Sequence, residues 1–193
     1  IAYGASIQSL VMPDRAGKKA DIALGHESMD SYLKFPNFIG ATVGRFANRI
    51  DGGRFTLNGQ AYQTPLNDGT NSLHGGTAGF DKVLWDVVSV KNGPTASVTL
   101  RYVSPDGDQG YPGTLTVDAT YSLDEANKLT IEYTATTDKE TIVNISNHAY
   151  WNLSGEGSSN GAMGHIVHIP AKTYTPVDET LIPTGELRPV AGT

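Results

Sequence analysis

Apolar side chains recur at every second residue along several stretches of this chain, and only an extended backbone gathers such a set on one face. Leu115, Val117, Ala119, Tyr121 and Leu123 alternate with Thr114, Thr116, Asp118, Thr120 and Ser122. Leu129, Ile131, Tyr133 and Ala135 alternate with Thr130, Glu132, Thr134 and Thr136, and Val98, Leu100 and Tyr102 repeat the pattern. Wound into a helix, these residues would scatter round its circumference. The pattern therefore predicts half-buried strands, apolar on one face and rich in Thr on the other. Asn58-Gly59, between Arg54-Phe55-Thr56-Leu57 and Gln60-Ala61-Tyr62-Gln63, predicts a hairpin closed by a type I′ turn, because both central residues of that turn need positive φ. Residues 124–127 predict a second short connection. Strands follow one another with no long helical period between them, so the expected class is all-β, an antiparallel β-sandwich rather than a βαβ fold. One short helix is expected over 28–33, with Ser28 as its N-cap. Glycine, at 22 of 193 residues, exceeds the usual roughly 7% and suits a chain with many turns.

Composition removes several classes of function. Fourteen basic and 20 acidic residues leave a net charge of −6, so the balance does not support a basic footprint for nucleic acid, and no such partner is expected. No apolar run reaches the length of a membrane span, and no partner membrane is expected. Zero cysteines exclude disulfides, thiol nucleophiles and thiolate zinc sites. That count is compatible with the cytoplasm, the expected location, and also with the periplasm. Residues 1–193 are long enough to bury a core and show no linker or repeat, so a single domain is expected.

Chemistry-bearing side chains concentrate in a few places. Read as one strand, 141–153 puts Ile142, Asn144, Ser146, His148, Tyr150 and Asn152 on one face. Apart from Ile142 that face is polar, yet it carries no charge other than what an imidazole acquires. Amides, hydroxyls, an imidazole and a phenol ring suit a neutral, hydroxyl-rich ligand such as a sugar. They would equally suit an internal polar network under a loop. Histidine titrates near neutrality, which makes His148 a candidate general acid or base, against the alternative of a structural strand histidine. Asn147 points to the opposite face and is expected to bond a neighbouring loop. His74, in Asn71-Ser72-Leu73-His74-Gly75-Gly76, precedes two glycines that allow a sharp turn or close approach to a ligand. No metal is expected, since no His-x-His or Glu-x-x-His spacing accompanies either histidine. Arg45 offers a rigid fork of donors for sugar hydroxyls, or for a structural ion pair; for Arg49 the ion pair is preferred. Asp106 and Asp108 flank Gly107 but lack the further ligands of a calcium loop, so they read as turn residues.

Taken together, the segments resemble the aldose 1-epimerase (galactose mutarotase) family. The resemblance is carried by Gly40-Ala41-Thr42-Val43-Gly44-Arg45-Phe46-Ala47-Asn48-Arg49-Ile50, by Asn71-Ser72-Leu73-His74-Gly75-Gly76, and by Gly79-Phe80-Asp81 through Trp85. Ser104-Pro105-Asp106-Gly107, Gly110-Tyr111-Pro112-Gly113 and Thr136-Thr137-Asp138-Lys139 follow. Then come Asn147-His148-Ala149-Tyr150-Trp151-Asn152-Leu153, Tyr174-Thr175-Pro176-Val177-Asp178 and Ile182-Pro183-Thr184-Gly185. They stand in family order over nearly the whole chain. The resemblance implies a large antiparallel β-sandwich, the galactose mutarotase-like supersandwich, with a sugar groove on one sheet. It implies interconversion of the α and β anomers of hexoses such as galactose and glucose, without a cofactor. Carried over, His148 is the general acid on the ring oxygen and His74 its partner in binding and charge stabilisation. Arg45, Asn144 and Tyr150 are the expected sugar contacts.

The family's catalytic glutamate and a sugar-binding aspartate fall beyond Thr193, and Glu179 and Glu186 sit upstream of the place of the base. Ile1-Ala2-Tyr3-Gly4-Ala5-Ser6-Ile7 reads as the inside of a strand, and Val190-Ala191-Gly192-Thr193 leads in the family into further strands. A domain truncated at both ends is therefore expected, and with it poor stability of these 193 residues alone. Two further readings stand beside the enzyme. One is a non-catalytic carbohydrate-binding module. The other is a sugar-phosphate epimerase, which would need more basic residues than Arg45 supplies.

Overall fold

Four consecutive strands form the principal sheet, and they are the ones whose alternation is clearest. The computed structural model describes residues 1–191; Gly192 and Thr193, in the segment expected to lead into further strands, lie outside the described residues. In chain order the elements are β1 (Val11–Pro13), β2 (Lys19–Asp21), helix α1 (Met29–Lys34), β3 (Thr42–Val43), β4 (Arg49–Ile50), β5 (Arg54–Leu57), β6 (Gln60–Gln63) and β7 (Ser72–Leu73). They continue with β8 (Asp86–Lys91), β9 (Thr95–Ser104), β10 (Leu115–Asp124), β11 (Leu129–Thr137), β12 (Ser146–Asn147), β13 (Thr173–Tyr174) and β14 (Arg188–Pro189). The order β11-β10-β9-β8 is an antiparallel meander, and the remaining strands pair two by two. The all-β expectation is met, with a single six-residue α-helix among the described residues.

Register sets what the sheet buries. Leu115, Val117, Ala119 and Tyr121 face inward along β10, while Thr116, Asp118, Thr120 and Ser122 face outward. On the outer face the Thr99 and Thr120 hydroxyls stand 2.9 Å apart across the ladder, and Arg101 grips Asp118 at 2.6 and 2.7 Å. On the inner face Leu100, Leu115, Val117, Ala119 and Tyr121 pack on Ala5, Phe80 and Trp85. Burying Leu115 and Val117 completely stabilises the fold by about 2 kcal/mol each. Trp85 meets Phe80 edge to face at 5.6 Å, and its indole N–H donates to the Phe80 carbonyl at 3.0 Å.

A buried hydroxyl network ties the functional strands to this core. Thr42 on β3 shares its hydroxyl with Tyr121 at 2.9 Å and Tyr133 at 3.2 Å, and Tyr121 donates to the Ala5 carbonyl at 2.5 Å. Burial pushes both tyrosines above their ordinary range, so they stay neutral donors.

Both expected turns are present. Asn58 and Gly59 take φ of 51° and 79° between β5 and β6, and Asp124 accepts from the amides of Ala126 and Lys128 between β10 and β11. Ser28 caps α1, accepting from the Ser31 amide at 3.3 Å. The long strand expected over 141–153 is different in kind. Only Ser146–Asn147 forms a ladder, with β3, and the flanking residues change partners. Asn144 bridges Phe46 in parallel, and Trp151 bridges Ala23 antiparallel. An extended segment that passes from one neighbour to another cannot hold a single register, so its alternation is broken.

Candidate active site

His74 is set by a loop that only glycine can close. A Cβ on Gly75, whose φ is 92°, would stand 1.7 Å from the Gly44 carbonyl oxygen. The Asn67 side chain braces the loop, accepting from the Leu73 amide at 2.7 Å and donating to the Leu73 and Gly76 carbonyls at 3.0 Å. Gln109 accepts from the Ala78 amide at 3.1 Å. The loop hands His74 to Asn48 in a reciprocal pair. The His74 amide donates to the Asn48 carbonyl at 3.0 Å, and the Asn48 amide donates to His74 Nδ1 at 2.9 Å. Nδ1 is thereby an acceptor, and the neutral ring carries its proton on Nε2. Burial, then the neighbouring His148, then Arg49 and Lys82 push His74 down to about 4, against the opposing charge of Asp68. His74 is therefore a neutral hydrogen-bond donor over the physiological range.

His148 reaches the same place from the other side. Its amide donates to the Ala41 carbonyl at 2.8 Å, and its carbonyl accepts from the Gly40 amide at 3.1 Å. Asn147 locks this register by donating to the Gly40 carbonyl at 2.9 Å and accepting from the Ala149 amide at 3.0 Å, which is the loop-bonding role expected of it. The His148 ring lies 5.1 Å from the His74 ring, edge to face. Neither nitrogen of His148 has a hydrogen-bond partner among the described residues, so one ring is fixed and the other is available. Phe38 and Tyr150 complete a continuous patch of rings. Phe38 stands 4.8 Å from His74 and 5.7 Å from His148, and Tyr150 stands 5.2 Å from His148.

The remaining expected residues divide. Tyr150 is 46% exposed beside His148, and its hydroxyl is unbonded among the described residues. Asn144 donates its amide to the Ala47 carbonyl at 3.1 Å, while its backbone bonds Arg45 and Ala47 on either side. It splints the 45–47 segment, some way in role from a free sugar contact. Arg45 is 2% exposed, and its fork is filled from within. It donates to Ser104 Oγ at 2.8 Å and to the carbonyls of Ser104 at 2.9 Å, Pro105 at 2.7 Å and Pro112 at 3.0 Å. Burial lowers its basicity, with Asp108 opposing. Arg45 pins the 104–113 loop.

The arginine beside the histidines is Arg49. It pairs with Asp68 at 2.7 Å, as preferred from the sequence, and it also donates to Asn48 Oδ1 at 3.3 Å. Its charge acts on His74. Spacing hides this difference, because an interval of four puts Arg45 and Arg49 on one face of an extended segment. Asn48, at φ 66°, bends the chain between them. Among the described residues no three His, Asp or Glu side chains gather as a metal site would require. No helix there is long and apolar enough to cross a membrane.

Comparison with known proteins identifies the family. A family model described as aldose 1-epimerase matches residues 1–193. The galactose mutarotase of Mus musculus is 50% identical over 193 residues, covering 100% of this chain and 55% of that protein. The aldose 1-epimerase of Escherichia coli (strain K12) is 41% identical over 191 residues, covering 99% of this chain and 54% of that protein. The crystal structure of an aldose epimerase homologue from C. elegans superposes with a TM-score of 0.87 at 36% identity, over 100% of this chain and 57% of the other. Galactose 1-epimerase from Lactobacillus acidophilus NCFM gives a TM-score of 0.84 at 36% identity, over 100% of this chain and 55% of the other. The chain thus spans about 55% of the length of its curated relatives.

Proposed function

Since the chain belongs to the aldose 1-epimerase family, we propose that it carries the acid half of a site that interconverts the α and β anomers of a hexose, galactose or glucose. His148 gives a proton to the sugar ring oxygen as a base takes the proton of the C1 hydroxyl. The bond between C1 and the ring oxygen breaks, and C1 becomes an aldehyde. Rotation about C1–C2 and reclosure, with both proton transfers reversed, give the other anomer. His74, neutral and fixed through Nδ1, donates Nε2–H to the substrate oxygen and stabilises developing negative charge. Arg49 and Tyr150 edge the sugar, and no cofactor is called for.

The observation that carries this reading is the pair itself: two imidazoles 5.1 Å apart, one tied by the Asn48 amide and one whose nitrogens have no hydrogen-bond partner among the described residues. The base is a carboxylate outside residues 1–193. Asp68 and Asp81 are the carboxylates whose charges act on the histidine pair, and they are held by Arg49 and Lys82, each at 2.7 Å. A single sandwich domain continued by further chain, working in the cytoplasm, is part of the proposal. Polarimetry on the full natural chain tests it. His148→Gln should lower kcat for anomer interconversion by about 10²–10⁴-fold, the usual worth of a general acid. Wild-type rates in that variant would reject the assignment. Sugar binding by the wild-type protein with no rate above solvent would favour the non-catalytic module.

A further inference from the structure

Three non-glycine residues with left-handed backbone converge on the histidine pair: Phe38 at φ 60°, Asn48 at 66° and His74 at 52°. Asn48 and His74 are explained by the bonds they exchange. Phe38 is not, and a bulky side chain in that region is strained by about 1–3 kcal/mol unless its surroundings hold it there. What holds it is visible. The Lys82 ammonium lies 4.9 Å from the centre of the Phe38 ring, within cation–π reach. Lys82 is itself tethered at 2.7 Å to Asp81, which is 5% exposed. Asp81 and Lys82 follow Phe80 in one tight turn, and Phe80 is a core residue, 1% exposed. The orientation of the Phe38 ring is thus referred back to the rigid interior. The other rings it meets are the two imidazoles, at 4.8 and 5.7 Å, and its carbonyl accepts from the Ala41 amide at 3.1 Å.

We infer that Phe38, held by the Asp81–Lys82 pair, is a positioning residue that fixes the angle between the His74 and His148 rings. The inference rests on the acid–base reading of those histidines. The ammonium has a second effect at the same place, because it is one of the charges that keep His74 unprotonated. The charged and titratable groups acting on His74 are Arg49 and Asp68 on one side, Lys82 on another, and His148 opposite, while Asp81 interacts with His148.

The test uses the full natural chain and two readouts. In anomer interconversion, Phe38→Leu should lower kcat about tenfold or more with KM changed less than about twofold, since misplacement by an ångström costs up to about a hundredfold. Phe38→Tyr should restore most of the rate. By NMR without sugar, Lys82→Met should raise the titration midpoint of His74, and Lys82→Arg should restore it. Should Lys82→Met strand Asp81 and unfold the protein, Asp81→Asn combined with Lys82→Met removes the same ammonium without leaving a buried charge. Wild-type kcat in Phe38→Leu overturns the inference. So does a rise in KM alone, which would make Phe38 a sugar contact, and so does an unmoved His74 midpoint. If the wild-type protein itself fails to interconvert anomers, the acid–base reading falls, whereas the titration still decides whether Lys82 acts on His74 through this arrangement.

Discussion

Replacing Arg45 with Met separates a structural arginine from one proposed to edge the sugar. Met matches the length of the arginine stem but has no donors, so the 104–113 loop loses the hydrogen bonds to Ser104 Oγ and to the carbonyls of Ser104, Pro105 and Pro112. Each buried acceptor left bare costs about 1–3 kcal/mol, and such losses within one network do not add. Ser104 Oγ also donates to Asp108, whose charge acts on Arg45, so the change strips a counter-charge as well. The removal of a desolvated guanidinium returns part of the loss. The balance expected for breaking one side of such a buried cluster is about 3–5 kcal/mol. Urea unfolding of the full natural chain, followed by fluorescence of the buried Trp85, measures it. Arg45→Lys should recover little, because one ammonium cannot reproduce the fork. Arg49→Met is the contrast. Its partner Asp68 is part exposed, so stability should change by about 1 kcal/mol or less, while KM for the hexose should rise about tenfold. If Arg45→Met loses under about 1 kcal/mol and also loses sugar affinity, the reasoning is refuted and Arg45 belongs to the groove.

Two further changes test the His74 loop. His74 is held near 4 against an ordinary 6.5, so the unfolded chain binds more protons between those values; stability should fall by up to about 3 kcal/mol as pH drops from about 6.5 to about 4, with that slope absent in His74→Asn in urea titrations across pH. Gly75→Ala should destabilise by about 3 kcal/mol or more in the same assay, because its Cβ would lie 1.7 Å from the Gly44 carbonyl oxygen at φ 92°.

Local signals carried far into this fold. The inward set of β10 is the set its alternation names, since a two-residue period leaves one choice of face. The Asn58-Gly59 turn and the Ser28 cap are chemistry contained within four or five residues. What the sequence could not carry is pairing between distant segments. The 141–153 segment looked continuous because each residue suits extended backbone, yet its neighbours are 40–47 for one part and 21–24 for the next. The surroundings of the two arginines are hidden for the same reason, so expecting the sugar contact at Arg45 and the ion pair at Arg49 took no account of the burial of Arg45. Arg45 fills a space made by 104–113, and Arg49 lies on β4, whose partner β7 leads directly into His74. Phe38 gave no signal at all, since neither its left-handed backbone nor Lys82 above its ring is written in the residues beside it.

Electrostatics supports the roles proposed for the two histidines. Two imidazolium ions with ring centres 5.1 Å apart would repel by about 3 kcal/mol at an effective dielectric constant near 20, so a charge on one ring opposes a charge on the other. Protonating His74 would also turn its Nδ1 into a donor facing the Asn48 amide, which already donates to it. Burial, Arg49 and Lys82 oppose a charge there too. The repulsion is mutual, but the Asn48 amide faces His74 alone, and no described residue hydrogen-bonds the His148 ring nitrogens. His74 is therefore the neutral member of the pair and offers a fixed Nε2–H, which fits the charge-stabilising role proposed for it. An acid must give up its proton and take it back in each turnover, whereas a charge stabiliser must do neither. The asymmetry built by one backbone hydrogen bond, from Asn48 to His74, supports that division of labour.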